Sequence, residues 1–204
     1  MIESIMFDFS NYYDRIAEQL PDNCKVVEIG VANGASALYL ANALFEKGKT
    51  FRLYMIDNMA YGGYEQMKTI YQNIIKSGLS EYIELIPKDS VTASKDFNDD
   101  SLHFVFLDSS HEYEPTKQEI NAWYSKLIDD FVLAGHDYFL YKDGVGKAVD
   151  ELVPREIKRE TIDNKETGQY QEFKPEQLLF TEQTDNEFGI WELSKRFWWK
   201  PTLK

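Results

Sequence analysis

The chain has 204 residues, of which 43% are hydrophobic and 28% charged, as is usual for one globular domain with its own core. Its net charge of −13 repels phosphate backbones and anionic membranes, so we expect no nucleic-acid substrate and no membrane partner. Cys24 is the only cysteine, which excludes an internal disulfide. No apolar run approaches the roughly 18 residues of a membrane span, and the N-terminus lacks a signal-peptide pattern. We therefore expect a cytoplasmic protein.

Apolar segments alternate with helical patterns along the chain, which is typical of βαβ units and a mostly parallel sheet. Five strands are predicted, at residues 25–29, 51–56, 82–86, 103–107 and 131–134. Helices are predicted at residues 8–20, 36–45, 64–76 and 143–158. Another helix is predicted between the fourth and fifth strands, where Ile120, Trp123, Tyr124 and Leu127 have the spacing of one buried helix face. Two late strands, 177–181 and 189–193, are expected to form an antiparallel pair.

The expected organisation is a single domain over residues 1–204. It begins with a helical segment, 1–22, and continues with a cofactor-binding core, 25–150. Residues 159–175 are polar and lack apolar periodicity, which indicates a surface loop. Residues 176–204 should close the fold with the hairpin and an aromatic tail, which packs on the domain or on a second copy in a homo-oligomer.

The first strand contains Glu28 near its end and runs into a glycine turn, Gly30 to Gly34, before a helix. Glycine permits a tight turn and the close approach of a ligand, and a helix start offers free N–H groups. Ala32 stands where a dinucleotide-binding turn has its middle glycine, which favours a ligand without a pyrophosphate. A βα turn that binds nothing is an equal alternative from this segment alone.

Asp57 ends the second strand, 23 residues after Gly34. In nucleotide-binding α/β folds an acid at this place accepts hydrogen bonds from ribose hydroxyls. Acids after strands are also common turn formers, but the spacing favours the ribose.

Acids and histidines follow the fourth and fifth strands. Asp108 and His111 lie after the fourth strand, and His136 and Asp137 after the fifth. The ends of neighbouring parallel strands lie about 5 Å apart at one sheet edge, so these side chains are expected to meet around one substrate. The alternative is that Asp108 and Asp137 only form turns. We predict a divalent cation, such as Mg²⁺, held by Asp108, His136 and Asp137, with a metal-free site as an equal alternative.

His111 is the candidate general base, because O-methylation of a hydroxyl requires loss of its proton near the moment of attack. It stands three residues after Asp108, and Asp108 or Glu112 would orient its ring. The alternative is a histidine that only hydrogen-bonds the turn or binds the acceptor.

Residues 27–36, VEIGVANGAS, resemble the first motif of class I S-adenosylmethionine (SAM)-dependent methyltransferases. Residues 104–113, FVFLDSSHEY, and 133–138, LAGHDY, resemble the motifs after strands four and five in a small-molecule branch similar to macrocin and cephalosporin O-methyltransferase-like proteins. The resemblance covers about residues 25–150 and, more loosely, 189–195.

The resemblance implies an α/β, Rossmann-like three-layer sandwich with a mostly parallel seven-stranded sheet of order 3-2-1-4-5-7-6 and a C-terminal antiparallel hairpin. It implies SAM as the cofactor, with Gly30 and Gly34 facing the methionine part, Asp57 holding the ribose, and Asp89 and Ser90 bordering the adenine. The full cofactor site would comprise Glu28, Gly30, Gly34, Asp57, Asp89, Ser90 and Asp108.

The sequence departs from the resemblance at two places. Residues 128–131, IDDF, replace the usual Pro-Gly-Gly before strand five, and His136-Asp137 replaces the paired carboxylate of metal-dependent relatives. The prediction is methyl transfer from SAM to a small-molecule acceptor, at a hydroxyl oxygen, with or without a metal. The alternatives are a nicotinamide-dependent oxidoreductase, which the missing middle glycine disfavours, and a non-catalytic SAM-binding protein of the same fold.

Overall fold

The computed structural model describes residue 7 and residues 9–152, 179–182 and 189–194. In these residues the helices are α1 (Ser10–Gln19), α2 (Ala35–Glu46), α3 (Gly63–Ser77), α4 (Ser90–Ala93), α5 (Tyr113–Tyr124) and α6 (Lys147–Leu152). The strands are β1 (Cys24–Ile29), β2 (Phe51–Ile56), β3 (Ile83–Ile86), β4 (Leu102–Leu107), β5 (Leu127–Gly135), β6 (Leu179–Glu182) and β7 (Ile190–Ser194).

The strands form one sheet of order β3-β2-β1-β4-β5-β7-β6. Strands β1 to β5 pair in parallel, and β7 runs antiparallel to both β5 and β6. The Rossmann-like fold, the strand order and the closing antiparallel pair are therefore confirmed.

Both faces of the sheet are covered, because neighbouring residues of each strand point to opposite sides. Val26 of β1 belongs to a core cluster that includes Tyr13 of α1 and Leu40 of α2. Its neighbour Val27 belongs to a second cluster, which includes Trp123 of α5. The predicted three-layer sandwich results.

The fifth strand is longer than predicted. Leu127 does not continue the buried face of α5 but opens β5 and pairs with Leu102, whereas Val132 pairs with Phe104. Between these two pairs β5 has five residue steps whereas β4 has two, so β5 contains extra residues that form a bulge. Within the bulge Asp130 has a φ of +70°. The IDDF segment is thus a bulge within a strand.

The helix predicted at 143–158 is shorter within the described residues. A π-helical turn, Lys142–Gly146, leads into α6, which ends at Leu152. The predicted loop at 159–175 and the aromatic tail lie outside the described residues, and the single-domain organisation stays a prediction. None of the described helices is long and apolar enough to cross a membrane.

Candidate functional site

The glycine turn after β1 is held against the end of β4. Gly30 has a φ of +80°, and its N–H donates to the carbonyl of Ile56 at 2.8 Å. A Cβ at this position would lie 2.1 Å from the carbonyl oxygen of Asp108. Glycine is therefore required at position 30 by the packing of two backbone segments, in addition to any ligand.

Gly34 shapes the other end of the turn. It precedes α2 with a φ of +85°, and its N–H donates to the carbonyl of Val31 at 2.6 Å. A Cβ here would lie 2.7 Å from the Cε of Met55. Gly34 fixes the turn and is not among the residues that line the cleft described below, so its position facing the methionine part stays a prediction.

Glu28 lies in the core beneath the turn, with 1% of its surface exposed. Its carboxylate accepts hydrogen bonds from the Tyr13 hydroxyl at 2.6 Å and from the Ser36 hydroxyl. Burial raises the pKa of Glu28 to about 7, although the hydrogen bonds that it accepts oppose the rise. Glu28 thus ties α1 and α2 to β1 and, contrary to expectation, does not line the cleft.

A cleft of about 380 Å³ opens above the ends of β1, β2 and β4. Its lining includes five of the seven residues predicted for the cofactor: Gly30, Asp57, Asp89, Ser90 and Asp108. The Asp57 carboxylate accepts the N–H of Val31 at 3.1 Å and the N–H of Met59 at 2.7 Å. Asp57 therefore organises the turn, and each carboxylate oxygen retains a second lone pair for a ligand.

Two residues that follow β3 line the cleft beside α4. Asp89 caps this helix, since its carboxylate accepts the N–H of Thr92 at 2.9 Å. Ser90 is 7% exposed, and its hydroxyl oxygen accepts the indole N–H of Trp123 at 2.9 Å. The polar groups here are held by the protein itself, which gives this part of the cleft a fixed shape.

Glu119 of α5 also lines the cleft, and sequence reasoning missed it. It is 7% exposed, and the Ser109 hydroxyl lies 2.7 Å from each of its carboxylate oxygens. Burial raises its pKa, whereas hydrogen bonds from Ser109 and Ser90 lower it. A signal was present, because Glu119 stands four residues before the predicted core residue Trp123 and so shares its helix face.

The loops after β4 and β5 bring Asp108, His111 and Asp137 together. One ligand atom from each of the three lies within 4.8 Å of the others. The Nε2 of His111 is 2.7 Å from a carboxylate oxygen of Asp137, which is buried and has a φ of +65°. The His111 ring also stacks on Tyr141, with centroids 4.0 Å apart and planes at 9°.

The predicted metal ligand His136 is not part of this group. His136 is 9% exposed and packs its ring against Phe9, with centroids 4.9 Å apart. Its Nδ1 lies 3.3 Å from Asp137 and 3.8 Å from Asp108, but the group with metal-ligand geometry contains His111 instead. The π-helical turn packs tightly against the loop after β4. A Cβ at Gly144 of this turn would lie 1.9 Å from the His111 carbonyl oxygen, so the two backbones are in direct contact at His111.

Comparisons with known proteins identify a methyltransferase domain. A family model described as a methyltransferase domain matches residues 27–138, more than half of the chain, from β1 to the residue after Asp137. A search of curated proteins found no significant match.

Several solved structures share the fold. An rRNA methylase from Streptococcus thermophilus is 16% identical with a TM-score of 0.64, and the alignment covers 95% of this chain and 99% of that one. A precorrin-6y C5,15-methyltransferase from Geobacter metallireducens is 13% identical with a TM-score of 0.64, covering 94% and 90%. A Streptococcus mutans protein in complex with S-adenosylhomocysteine (SAH) is also 13% identical, with a TM-score of 0.64, covering 94% and 99%.

Proposed function

We propose a small-molecule O-methyltransferase activity for this chain, which belongs to the methyltransferase-domain family and is a SAM-dependent methyltransferase. The observation that carries the proposal is the position of the His111–Asp137 pair beside Asp108, which also lines the cleft. A cofactor in the cleft would thus lie next to a base that is already oriented. Family membership disfavours the nicotinamide-dependent alternative.

The cleft is proposed as the SAM site. Its volume of about 380 Å³ lies within the usual range of small-molecule sites. Asp57 would accept hydrogen bonds from the ribose hydroxyls, and Asp89 and Ser90 would border the adenine. The methionine part would lie at the turn, beside Gly30. The SAH bound in the Streptococcus mutans protein of the same fold supports this assignment.

In the proposed reaction the acceptor oxygen attacks the methyl carbon of SAM. The carbon–sulfur bond breaks, SAH leaves, and the hydroxyl proton passes to the protein. The sulfonium needs little activation, so the protein must mainly align the acceptor and remove its proton. His111 is suited to proton removal, because its Nδ1 is the acceptor when Nε2–H donates to Asp137. The Asp137 carboxylate then stabilises the imidazolium that forms.

Metal assistance is a second candidate, favoured by the close grouping of Asp108, His111 and Asp137. Two carboxylates and an imidazole are a donor set that fits a divalent cation. Such a cation would act as a Lewis acid on the acceptor hydroxyl. The two candidates exclude each other at His111, because a neutral imidazole has one free nitrogen lone pair, which can bind a metal or accept a proton but not both.

The acceptor is proposed to be a small molecule rather than a nucleic acid. The net charge of −13 opposes the binding of a polyanion. The fold itself does not decide, since it is shared with both the rRNA methylase and the precorrin methyltransferase.

The test is an assay with methyl-labelled SAM against a panel of phenols, sugar and macrolide hydroxyls, amines and ribosomal RNA. We expect label transfer to a hydroxyl compound with release of one SAH per methyl group. Calorimetry with SAM, SAH and NAD should give binding of the first two only. Transfer to RNA or to an amine alone would overturn the O-methyltransferase proposal, and binding of NAD alone would overturn the cofactor.

A further inference from the structure

Glu119 is a buried acid that the proposed reaction does not use. It lies on the second turn of α5 and lines the same cleft as Ser90 and Pro115. Four acids line the cleft, and of these Glu119 alone is buried, whereas Asp57 and Asp108 are partly exposed and Asp89 is exposed. Glu119 is therefore the acidic group of the cleft that is best shielded from water.

The groups around Glu119 leave it as an acceptor. The Ser109 hydroxyl donates to it at 2.7 Å. Ser90, whose hydroxyl oxygen accepts the indole N–H of Trp123, also acts to lower the pKa of Glu119. The Ser109 proton is thereby spent on the carboxylate, and this donor favours the ionised, acceptor-only form against the effect of burial, which raises the pKa. A ligand group that approaches Glu119 meets an oxygen that requires a hydrogen-bond donor.

We propose that Glu119 recognises the exocyclic amino group of the cofactor's adenine and selects adenine over a purine that carries an oxygen at that position. The inference rests on the proposed placement of SAM in the cleft, with its ribose at Asp57. Adenine presents its amino group as a donor, whereas hypoxanthine presents a carbonyl oxygen there. A buried acceptor facing a second acceptor loses a hydrogen bond on both sides, which is how polar sites reject close analogues.

The experiment compares the affinities of SAH and S-inosylhomocysteine by calorimetry, because the two ligands differ at this position of the purine. We expect the wild-type protein to bind SAH roughly ten- to a hundredfold more tightly, the usual effect of a hydrogen bond to a charged group. Glu119→Gln should bring the ratio to within about threefold, since an amide offers both a donor and an acceptor. Ser109→Ala, which removes one of the donors that orient the carboxylate, should lower the ratio less.

Glu114→Gln is the matched control, because Glu114 is exposed on the first turn of the same helix and should leave the ratio unchanged. Equal binding of both ligands by the wild-type protein would overturn the role of Glu119 and leave the cofactor assignment intact, and this measurement needs no variant. An affinity ratio of SAH to S-inosylhomocysteine that is unchanged in Glu119→Gln would also overturn the role of Glu119. A wild-type protein that binds neither ligand would remove the proposed function together with this inference.

Discussion

The His111 imidazole and the Asp137 carboxylate meet across two loops, with Nε2 and Oδ2 2.7 Å apart. His111 follows β4 and Asp137 follows β5, so the parallel pairing of the two strands brings them together. A histidine oriented by a carboxylate is the usual arrangement of a general base. The stacked ring of Tyr141 fixes the plane of the imidazole as well.

Replacing His111 by alanine should reduce turnover by roughly 10²–10⁴-fold, the usual share of acid–base catalysis, without weakening SAH binding. The two readouts are the rate of label transfer and the calorimetric affinity for SAH. His103→Ala is the control, because His103 lies at the opposite end of β4, where its Nδ1 accepts the N–H of Lys25. Full turnover in the His111 variant would contradict the role of His111 as general base, and the alignment of acceptor and cofactor would then account for the rate.

Asp137→Asn should also reduce turnover, because the amide cannot stabilise the imidazolium as a carboxylate does. Asparagine tolerates the left-handed backbone at this position, where φ is +65°, so the fold should be kept. If Asp137 acts through His111, the double variant with His111→Ala should be no slower than His111→Ala alone. Losses that multiply would show that Asp137 acts independently.

Much of this site follows from the sequence because it lies at strand ends. The end of a strand is marked by an apolar run that stops at a polar residue, and the parallel order brings all such ends to one edge. Asp57 and Asp108 line the cleft for this reason. No sequence pattern indicates which way a side chain points after a strand. His136 directly precedes Asp137, yet its ring packs on Phe9, and His111 joins Asp108 and Asp137 instead.

The sequence is less informative about buried polar residues. The Glu28 carboxylate is taken up by two hydroxyls in the core, so its contact with the ligand stays a prediction. Those partners come from α1 and α2, so only the packing of three elements determines what Glu28 does. The start of β5 escapes prediction for a related reason, since the apolar Leu127 fits the periodicity of α5 as well as the first position of a strand.

Chelation distinguishes the two candidate mechanisms. If His111 donates to Asp137 during turnover, exhaustive treatment with a chelator should leave the rate within about twofold of the untreated protein. If Asp108, His111 and Asp137 hold a divalent cation, the rate should fall and recover on addition of Mg²⁺ or Mn²⁺. The measurement is label transfer before and after dialysis, with a cation titration.

Gly30→Ala should destabilise the protein far more than Gly48→Ala. Both glycines have positive φ angles, +80° and +71°, so both substitutions carry the left-handed penalty of about 1–2 kcal/mol. A Cβ at Gly48 meets nothing within 4 Å, whereas at Gly30 it would collide with the backbone of Asp108. The difference between the two free energies of unfolding, measured in urea, isolates that collision. Equal losses would contradict the close approach of the turn to β4.

The last prediction concerns the pH dependence of stability at Glu28. Burial raises its pKa in the folded protein from 4.5 to about 7, so between these values the folded state binds more protons than the unfolded state. Its contribution to stability is therefore present below about pH 4.5 and is lost as the pH rises to about 7. A rise of this size corresponds to about 3 kcal/mol, and little solvent screens it because the carboxyl is 1% exposed.

Glu28→Gln should remove this dependence, because glutamine keeps the shape of the side chain but does not titrate. The free energy of unfolding of the wild-type protein, relative to that of the variant, should fall by up to about 3 kcal/mol between about pH 5 and pH 8. Urea unfolding at several pH values measures this difference and cancels the titration of other groups. Glu81→Gln, at an exposed position, should give a flat difference over the same range. A flat difference for Glu28 as well would mean that the hydroxyls of Tyr13 and Ser36 fully offset the cost of burying its charge.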